Sequence, residues 1–174
     1  VVLASNFKLE NVSFKDPKKN AVGGQSVLLN YYNENTKKAG PLILQTPKMR
    51  MPFGPDISEN DSGTKKYSLN TSLANEESSN ANLKLFTEII RVLDSHTKSF
   101  ATENSEQWFG KKQKVDVIEE FYKSAEKRSK QDKYPSTLKL KLPVKISGDK
   151  NIPQFDIYSD TKELVNIVDS NEID

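Results

Sequence analysis

The 174-residue chain contains no cysteine and a single histidine. The absence of cysteine excludes disulfides, thiolate nucleophiles and cysteine-ligated zinc, and it fits a reducing compartment. No stretch approaches the roughly 18 consecutive apolar residues of a membrane-spanning helix. Residues 1–14 also lack the basic segment and long apolar run of a signal peptide. We therefore expect an intracellular protein that does not enter a membrane.

The residue patterns of common catalytic sites are also missing. His96 is accompanied by no serine or cysteine nucleophile motif, so we expect it at a helix end or on the surface. Residues 23–26, GGQS, lack the lysine and the spacing of a phosphate-binding loop. Asp56, Glu59 and Asp61 do not follow a calcium-loop pattern, which leaves only a carboxylate magnesium site open. The sequence predicts a non-enzymatic protein with no cofactor and no assigned metal ligand.

The net charge of +2 conceals a segregation of charge along the chain. Residues 1–108 carry 13 basic and 12 acidic side chains, and residues 109–145 carry 11 and 5. Residues 146–174 carry 2 basic and 7 acidic side chains. Such blocks are typical of a surface that attracts a polyanion beside an end that competes with it, although ordinary surface charge gives milder versions of the pattern.

Hydrophobic periodicity predicts strands followed by helices and then further strands. Amphipathic helices are predicted over residues 83–93 and 115–131, and a polar loop over residues 56–64. The segment 164–168 is either the hairpin partner of a strand at 154–159 or a short helix. Further strands are predicted at 7–14, 26–32, 41–46, 65–73 and 137–146. We expect one α+β domain, mainly β, over residues 1–168: a β-barrel with a helical insertion at about 83–131. Residues 169–174 are acidic, and we expect them to be disordered.

The most informative strand is TLKLKLPVKI, residues 137–146. Alternation places five apolar side chains on one face and three lysines, Lys139, Lys141 and Lys145, on the other. Pro143 favours an edge position or a bulge. One interpretation is a solvated strand whose lysines discourage edge-to-edge pairing. The other is that the lysines hold a polyanion.

Basic residues elsewhere are interleaved with aromatic residues, a combination that binds single-stranded nucleic acid because cations follow phosphates while aromatic rings stack on unpaired bases. For each aromatic residue the alternative is core packing. No helix-turn-helix or zinc-finger pattern supports binding to duplex DNA. The clusters are Lys48, Arg50 and Phe53; Lys65, Lys66 and Tyr67; Trp108, Phe109, Lys111, Lys112 and Lys114; and Lys133 and Tyr134 with the lysine-bearing strand.

Two segments together resemble a known family: GPLILQTPKMRMPFG at residues 40–54 and KYPSTLKLKLPVKISGDKNIPQFDIYSDTKEL at residues 133–164. They are similar to the single-stranded DNA-binding proteins of nucleocytoplasmic large DNA viruses, which are related to the replicative single-strand binders of podovirus-type phages. The resemblance covers most of residues 40–165 and implies an OB-fold, a five-stranded antiparallel barrel. It carries over, as motif positions, Lys48, Arg50, Phe53, Lys139 and Lys141. The phage relatives recruit replication partners through an acidic tail with a terminal aromatic residue; this chain shares the acidic trend but ends at Asp174.

The resemblance and the residue patterns together lead us to expect a sequence-independent single-stranded DNA-binding protein of viral DNA replication, recombination and repair. It would act in the host cytoplasm or nucleus at sites of viral DNA replication. Replication proteins that bind the acidic tail are implied as partners, and a homodimer is left open. The alternative is a non-enzymatic virion or interaction protein whose basic face binds an acidic protein partner or duplex DNA.

Overall fold

The chain has a mixed α+β fold with more residues in strands than in helices. Its strands include a curled antiparallel sheet of half-barrel form. Within the part of the chain that is described, the strands do not close into a five-stranded barrel. The predicted α+β class is therefore confirmed, whereas the predicted closed barrel is not found. The computed structural model describes residues 1–21, 23–59, 65–75, 77–130, 134–147 and 150–165.

Three helices separate the two groups of strands along the sequence, which confirms the predicted order of elements. They are α1 (Ala81–Glu103), α2 (Ser105–Phe109) and α3 (Val115–Phe121). The strands before the helices are β1 (Val12–Phe14), β2 (Lys18–Lys19), β3 (Gln25–Ser26), β4 (Leu29–Asn33), β5 (Lys38–Pro41), β6 (Asp56–Glu59) and β7 (Lys65–Ser72). The strands after them are β8 (Glu126–Lys127), β9 (Thr137–Leu142), β10 (Val144–Ser147), β11 (Lys150–Pro153), β12 (Ile157–Tyr158) and β13 (Leu164–Val165).

The chain divides into two compact units. Unit one comprises Val1–Lys48 and Ala74–Glu126, and unit two comprises Met49–Leu73 and Lys127–Asp174. The single domain expected over residues 1–168 stays a prediction. The acidic segment 169–174, for which disorder is predicted, lies outside the described residues.

Unit one combines a small antiparallel sheet, in the order β1-β4-β5, with the three helices. Tyr31 on β4 lies opposite Val12 on β1, and both side chains are buried. The Tyr31 hydroxyl donates to the backbone oxygen of Asn6 (3.2 Å) and accepts from the backbone N–H of Lys8 (3.0 Å). These bonds fix two short 3-10 turns ahead of β1, so the strand predicted over residues 7–14 begins only at Val12.

Helix α1 has a capped start and an apolar stripe. The side chain of Asn80 accepts a hydrogen bond from the backbone N–H of Leu83 (3.1 Å), which satisfies one of the donors left free at a helix start. The predicted apolar stripe is Leu83, Phe86, Ile90 and Leu93, of which Phe86 is buried and the other three are half-buried. Ile89, which lies outside the predicted stripe, is also buried. The helix continues ten residues beyond the predicted end, and His96 therefore lies inside it, with its ring centroid 5.3 Å from that of Phe14.

The second predicted helix is shorter than its apolar pattern indicates. It was expected over residues 115–131, but α3 ends at Phe121. The carboxylate of Asp94 on α1 accepts hydrogen bonds from the Tyr122 hydroxyl (2.7 Å), the Ser124 hydroxyl and the Ala125 backbone N–H (3.0 Å). A side chain distant in sequence thus holds the chain after Phe121 in an extended conformation, which local periodicity does not reveal.

Two strand predictions near the start of the chain also need correction. Strand β4 continues to Asn33 and pairs directly with β5 in a tight hairpin, in which Lys37 has a φ of 53°, so the next strand begins before the predicted residue 41. The hairpin ends at Pro41, and residues 42–46 do not form the rest of the predicted strand, although the backbone N–H of Leu42 still donates to the backbone oxygen of Leu29 (3.0 Å). Within that segment Leu44 makes an isolated bridge to Val2.

Unit two contains the lysine-bearing strand, which Pro143 divides into two. Residues before the proline form β9, which pairs antiparallel with β7 over six residues, and β7 in turn pairs with β6. Residues after the proline form β10, which turns away from this ladder to pair with β11. The sheet order is β6-β7-β9-β8. Strands β12 and β13 form the hairpin that was one of the two alternatives for residues 154–168.

Candidate nucleic-acid interface

The residues predicted to bind nucleic acid are divided between the two units. Unit one contains Lys48, Trp108, Phe109, Lys111, Lys112 and Lys114. Unit two contains Arg50, Phe53, Lys65, Lys66, Tyr67, Tyr134, Lys139, Lys141 and Lys145. Lys133, from the fourth predicted cluster, lies outside the described residues.

The register of unit two brings three lysines onto one surface of the sheet. Ser68 on β7 lies opposite Lys141 on β9, and Asn70 lies opposite Lys139. Because successive side chains on a strand point to opposite faces, Lys66 shares the face of Ser68 and Asn70. Lys66, Lys139 and Lys141 are exposed. We call this surface, formed by Lys66, Ser68, Asn70, Lys139 and Lys141, the lysine face.

The three lysines are spaced as neighbours across and along the strands. Lys139 and Lys141 are two residues apart on β9, a separation of about 6.8 Å between Cα atoms. Lys66 is diagonal to Lys141, because Lys66 precedes Tyr67, which lies opposite Leu142. Diagonal neighbours on one face are within reach of long side chains. The lysine face therefore presents three adjacent cations to any polyanion that approaches it.

An acidic side chain, Asp56, borders this surface on β6. Asp56 lies opposite Ser68, and its Oδ2 accepts hydrogen bonds from the Ser68 hydroxyl (3.3 Å) and from Lys139 Nζ (3.0 Å). The contact with Lys139 is a salt bridge in which both side chains are about half exposed. The hydrogen bond and charge of Lys139, assisted by Ser68, hold the pKa of Asp56 below its ordinary value. Asp56 is therefore ionised at neutral pH and pairs with Lys139 as an anion.

The opposite side of the sheet is apolar. Leu138, Leu140 and Leu142 on β9 alternate with the lysines, and Leu138 is buried. Tyr67 and Leu69 lie opposite them on β7 and are half-buried. These three leucines confirm part of the apolar face predicted for the strand; Val144 and Ile146, which were predicted to share it, lie on β10 instead. Tyr67 consequently points away from the side on which Lys66 lies, so the two do not form a joint cation and stacking site.

Exposed aromatic residues flank one end of the β7-β9 ladder. The backbone N–H of Ser72 donates to the backbone oxygen of Arg50 (2.8 Å), and that of Leu73 donates to the backbone oxygen of Ser136 (2.8 Å). These bonds attach the segments that carry Phe53 and Tyr134 to the same end of β7. Phe53 is 70% exposed and Tyr134 is 56% exposed, while Arg50 is also on the surface. Both rings therefore have a face accessible to a planar ligand.

Two other predicted residues of unit two are placed differently. Lys145 is exposed, but it lies on β10 opposite Ile152, in the hairpin that follows Pro143. The hairpin is separate from the β6-β7-β9 ladder. Lys65 is the first residue of β7, opposite Glu59. The structure therefore groups Lys139 and Lys141 with Lys66, rather than with Lys145 as the alternation alone predicts.

In unit one, Trp108 belongs to a packed aromatic cluster. Its ring centroid lies 5.7 Å from Phe14 and 5.5 Å from Phe100, and Phe14 and Phe100 stack at 4.3 Å. Core packing, the alternative considered for each aromatic residue, therefore describes the contacts of Trp108. Phe109, next in sequence, is 50% exposed.

The lysines of unit one lie in two places along the sequence. Helix α2 ends at Gly110, whose φ of 74° suits glycine, and Lys111, Lys112 and Lys114 follow on the surface. Lys48, at the end of the first segment of the unit, is also exposed.

An apolar cavity of about 620 Å³ also lies in unit one, with Ala101, Trp108, Ile118 and Phe121 among the residues of its wall. It is distinct in composition from the lysine face, because Lys123 is the one charged side chain among the described residues that line it.

Asp56, Ser68 and Asn70 are the residues at this site that sequence reasoning did not find. Residues 56–64 were predicted to be a polar loop, but Asp56–Glu59 form β6. The alternation of the sequence DISE around Ile57 is the local signal, although a run of four residues is too short to separate a strand from a loop.

Neither a metal centre nor a membrane span accompanies this surface. In the described part of the chain, no three histidine, aspartate or glutamate side chains form a group that could hold a metal ion. No helix there is both long and apolar enough to cross a membrane. No family model, curated protein or solved structure matches the chain significantly.

Proposed function

We propose that this chain is a sequence-independent, single-stranded DNA-binding protein without enzymatic activity, and that the lysine face is its principal binding surface. The observation that carries the proposal is the grouping of Lys66, Lys139 and Lys141 on one face, in the same compact unit as the exposed rings of Phe53 and Tyr134. Cations that follow the backbone and rings that stack on bases are the two components of single-strand binding.

The proposed mechanism divides the work between charge and stacking. Each lysine that neutralises a phosphate releases condensed counterions, so three contacts give a slope of log affinity against log salt of about −2. Stacking of a base on an exposed ring contributes about 1–3 kcal/mol and tolerates any base, because each base has a π-face. Neither component needs to recognise base edges, and binding is therefore independent of sequence.

The biological setting of the proposal rests on the resemblance of residues 40–54 and 133–164 to viral single-strand binders. On that basis the protein acts in viral DNA replication, recombination and repair, at replication sites in the host cytoplasm or nucleus. The OB-fold belongs to the same proposal, in which the open antiparallel sheet of unit two provides the binding groove. Replication proteins remain the proposed partners of the acidic segment.

A binding titration with labelled oligo-dT at several salt concentrations tests the proposal. We expect binding that weakens steeply with salt and that unlabelled oligo-dT competes more strongly than duplex DNA at equal nucleotide concentration. The matched control is Lys38→Gln, which removes one exposed lysine from a strand of unit one, against Lys141→Gln on the lysine face.

Three outcomes would overturn the proposal. Absence of oligo-dT binding would favour the alternative of an acidic protein partner for the basic surface. Equal or stronger competition by duplex DNA would identify a duplex-binding surface. Equal losses of affinity in Lys38→Gln and Lys141→Gln would show that net charge, rather than the lysine face, determines binding.

A further inference from the structure

Asp56 borders the proposed binding surface, on the edge strand β6. It lies in one cross-strand row with Ser68 and Lys141, which face each other across β7 and β9. Its carboxylate bonds diagonally to Lys139, at 3.0 Å. The side chain that pairs with Lys139 at the border of the lysine face thus carries the same sign of charge as the proposed ligand.

The carboxylate of Asp56 occupies the position beside Lys139 that a bound phosphate would take. Carboxylates and phosphates both accept charge-assisted hydrogen bonds from lysine through negatively charged oxygens. Ser68, only 5% exposed, donates its hydroxyl to the same oxygen that accepts from Lys139. The buried Ser68 hydroxyl therefore helps to hold the Asp56 carboxylate in position beside Lys139. Asp56 lies on β6, which pairs with β7.

We infer that Asp56 makes the lysine face select a chain of adjacent phosphates over a single phosphate group. The inference rests on the proposed function and concerns the selectivity of the same surface. A free phosphate must displace a carboxylate that is tethered beside Lys139 at an effective concentration on the order of millimolar or higher. It must also approach the negative charge that remains on Asp56.

A strand of nucleic acid meets a different situation. Two of its phosphates can contact Lys66 and Lys141, neither of which pairs with Asp56. The strand therefore stays bound whether or not its next phosphate, now tethered near Lys139, displaces the carboxylate. Asp56 therefore weakens binding of inorganic phosphate or a mononucleotide more than binding of an oligomer.

Asp56→Asn is the decisive variant, since asparagine keeps the size of the side chain and an oxygen acceptor while removing the charge. The matched control is Glu59→Gln, which removes one negative charge from the same strand on the opposite face. The probe is labelled oligo-dT, and the competitors are inorganic phosphate and thymidine monophosphate. We expect Asp56→Asn to bind oligo-dT about 3- to 10-fold more tightly, as loss of one exposed ionic competitor implies.

Two further results are expected if the pairing itself is responsible. The concentration of inorganic phosphate needed for half-maximal competition should fall by a larger factor in Asp56→Asn than the gain in oligo-dT affinity. The gain should also become smaller in the Lys139→Gln background, because Asp56 then pairs with no lysine of the lysine face and acts only through its own charge. Asp56→Ser serves in place of the asparagine variant if the latter does not fold.

The outcomes separate this inference from the proposed function. If the wild-type protein binds oligo-dT but competition by phosphate is unchanged in both Asp56 variants, Asp56 does not determine selectivity. The proposed function is then unaffected. An equal gain in Glu59→Gln also overturns the selectivity role of Asp56, because the effect would then be one of net charge. If the wild-type protein does not bind oligo-dT, the proposed function fails, and the inference fails with it.

Discussion

The double substitution Lys66→Gln with Lys141→Gln removes the two cations of the lysine face that, among the described residues, take part in no salt bridge. Each contact between a lysine and a phosphate at about 4 Å is worth about 1 kcal/mol in water. Loss of both should therefore weaken oligo-dT binding by about 2 kcal/mol, or about 30-fold at low salt. Both side chains are exposed, so the folded state should keep its stability.

The assay is fluorescence anisotropy of labelled oligo-dT, repeated over a series of salt concentrations. Two lost phosphate contacts should make the slope of log affinity against log salt less steep by about 1.4. Lys139→Gln, which removes a lysine already paired with Asp56, should reduce the affinity less than Lys141→Gln does. An unchanged salt slope in the double variant, together with an intact thermal transition, would refute the assignment of these lysines to phosphate contacts.

Three further outcomes are expected. Affinity for oligo-dT should rise as pH falls into the acid range in which carboxylates titrate. Lys139 lowers the pKa of Asp56 in the free protein, and phosphate takes Lys139 away in the complex, so binding takes up a proton. A flat pH profile for the folded protein would contradict this. Thr87→Val should lower the free energy of unfolding by about 1–3 kcal/mol, since the buried Thr87 hydroxyl accepts a hydrogen bond from the backbone N–H of Ala74 at 2.9 Å. Chemical denaturation measures this, and an unchanged midpoint would show that the bond does not contribute to stability. Phe53→Ala should cost about 1–3 kcal/mol of oligo-dT affinity with the same salt slope, and a changed slope would mean that the ring does not act by stacking.

The lysine-bearing strand shows what sequence alone can predict. Alternation of leucine and lysine identified both faces of β9, because the period of a strand is a local property. The break at Pro143 was also foreseeable, since proline cannot donate to a ladder. The pairing partner of each strand could not be predicted, because register depends on contacts between segments that are distant in sequence.

The composition of the candidate site depended on that register. Lys66 joins Lys139 and Lys141 because β7 pairs with β9, whereas Lys145, on the same predicted face, pairs elsewhere with Ile152. Asp56 enters the site through the pairing of β6 with β7. Helix α3 gives the same lesson, since Asp94 ends it through three hydrogen bonds that no local pattern encodes.

The pairing of β7 with β9 has a consequence for the order of folding. Ser72 and Thr137 are partners at one end of this ladder, so residues 73–136, including all three helices, form the loop that the ladder closes. Closing a long loop costs chain entropy before any distant contact forms, whereas a helix forms from neighbours in under a microsecond to a few microseconds. The lysine face is therefore a late product of folding. A newly made chain should therefore form helix α1 before it forms the lysine face.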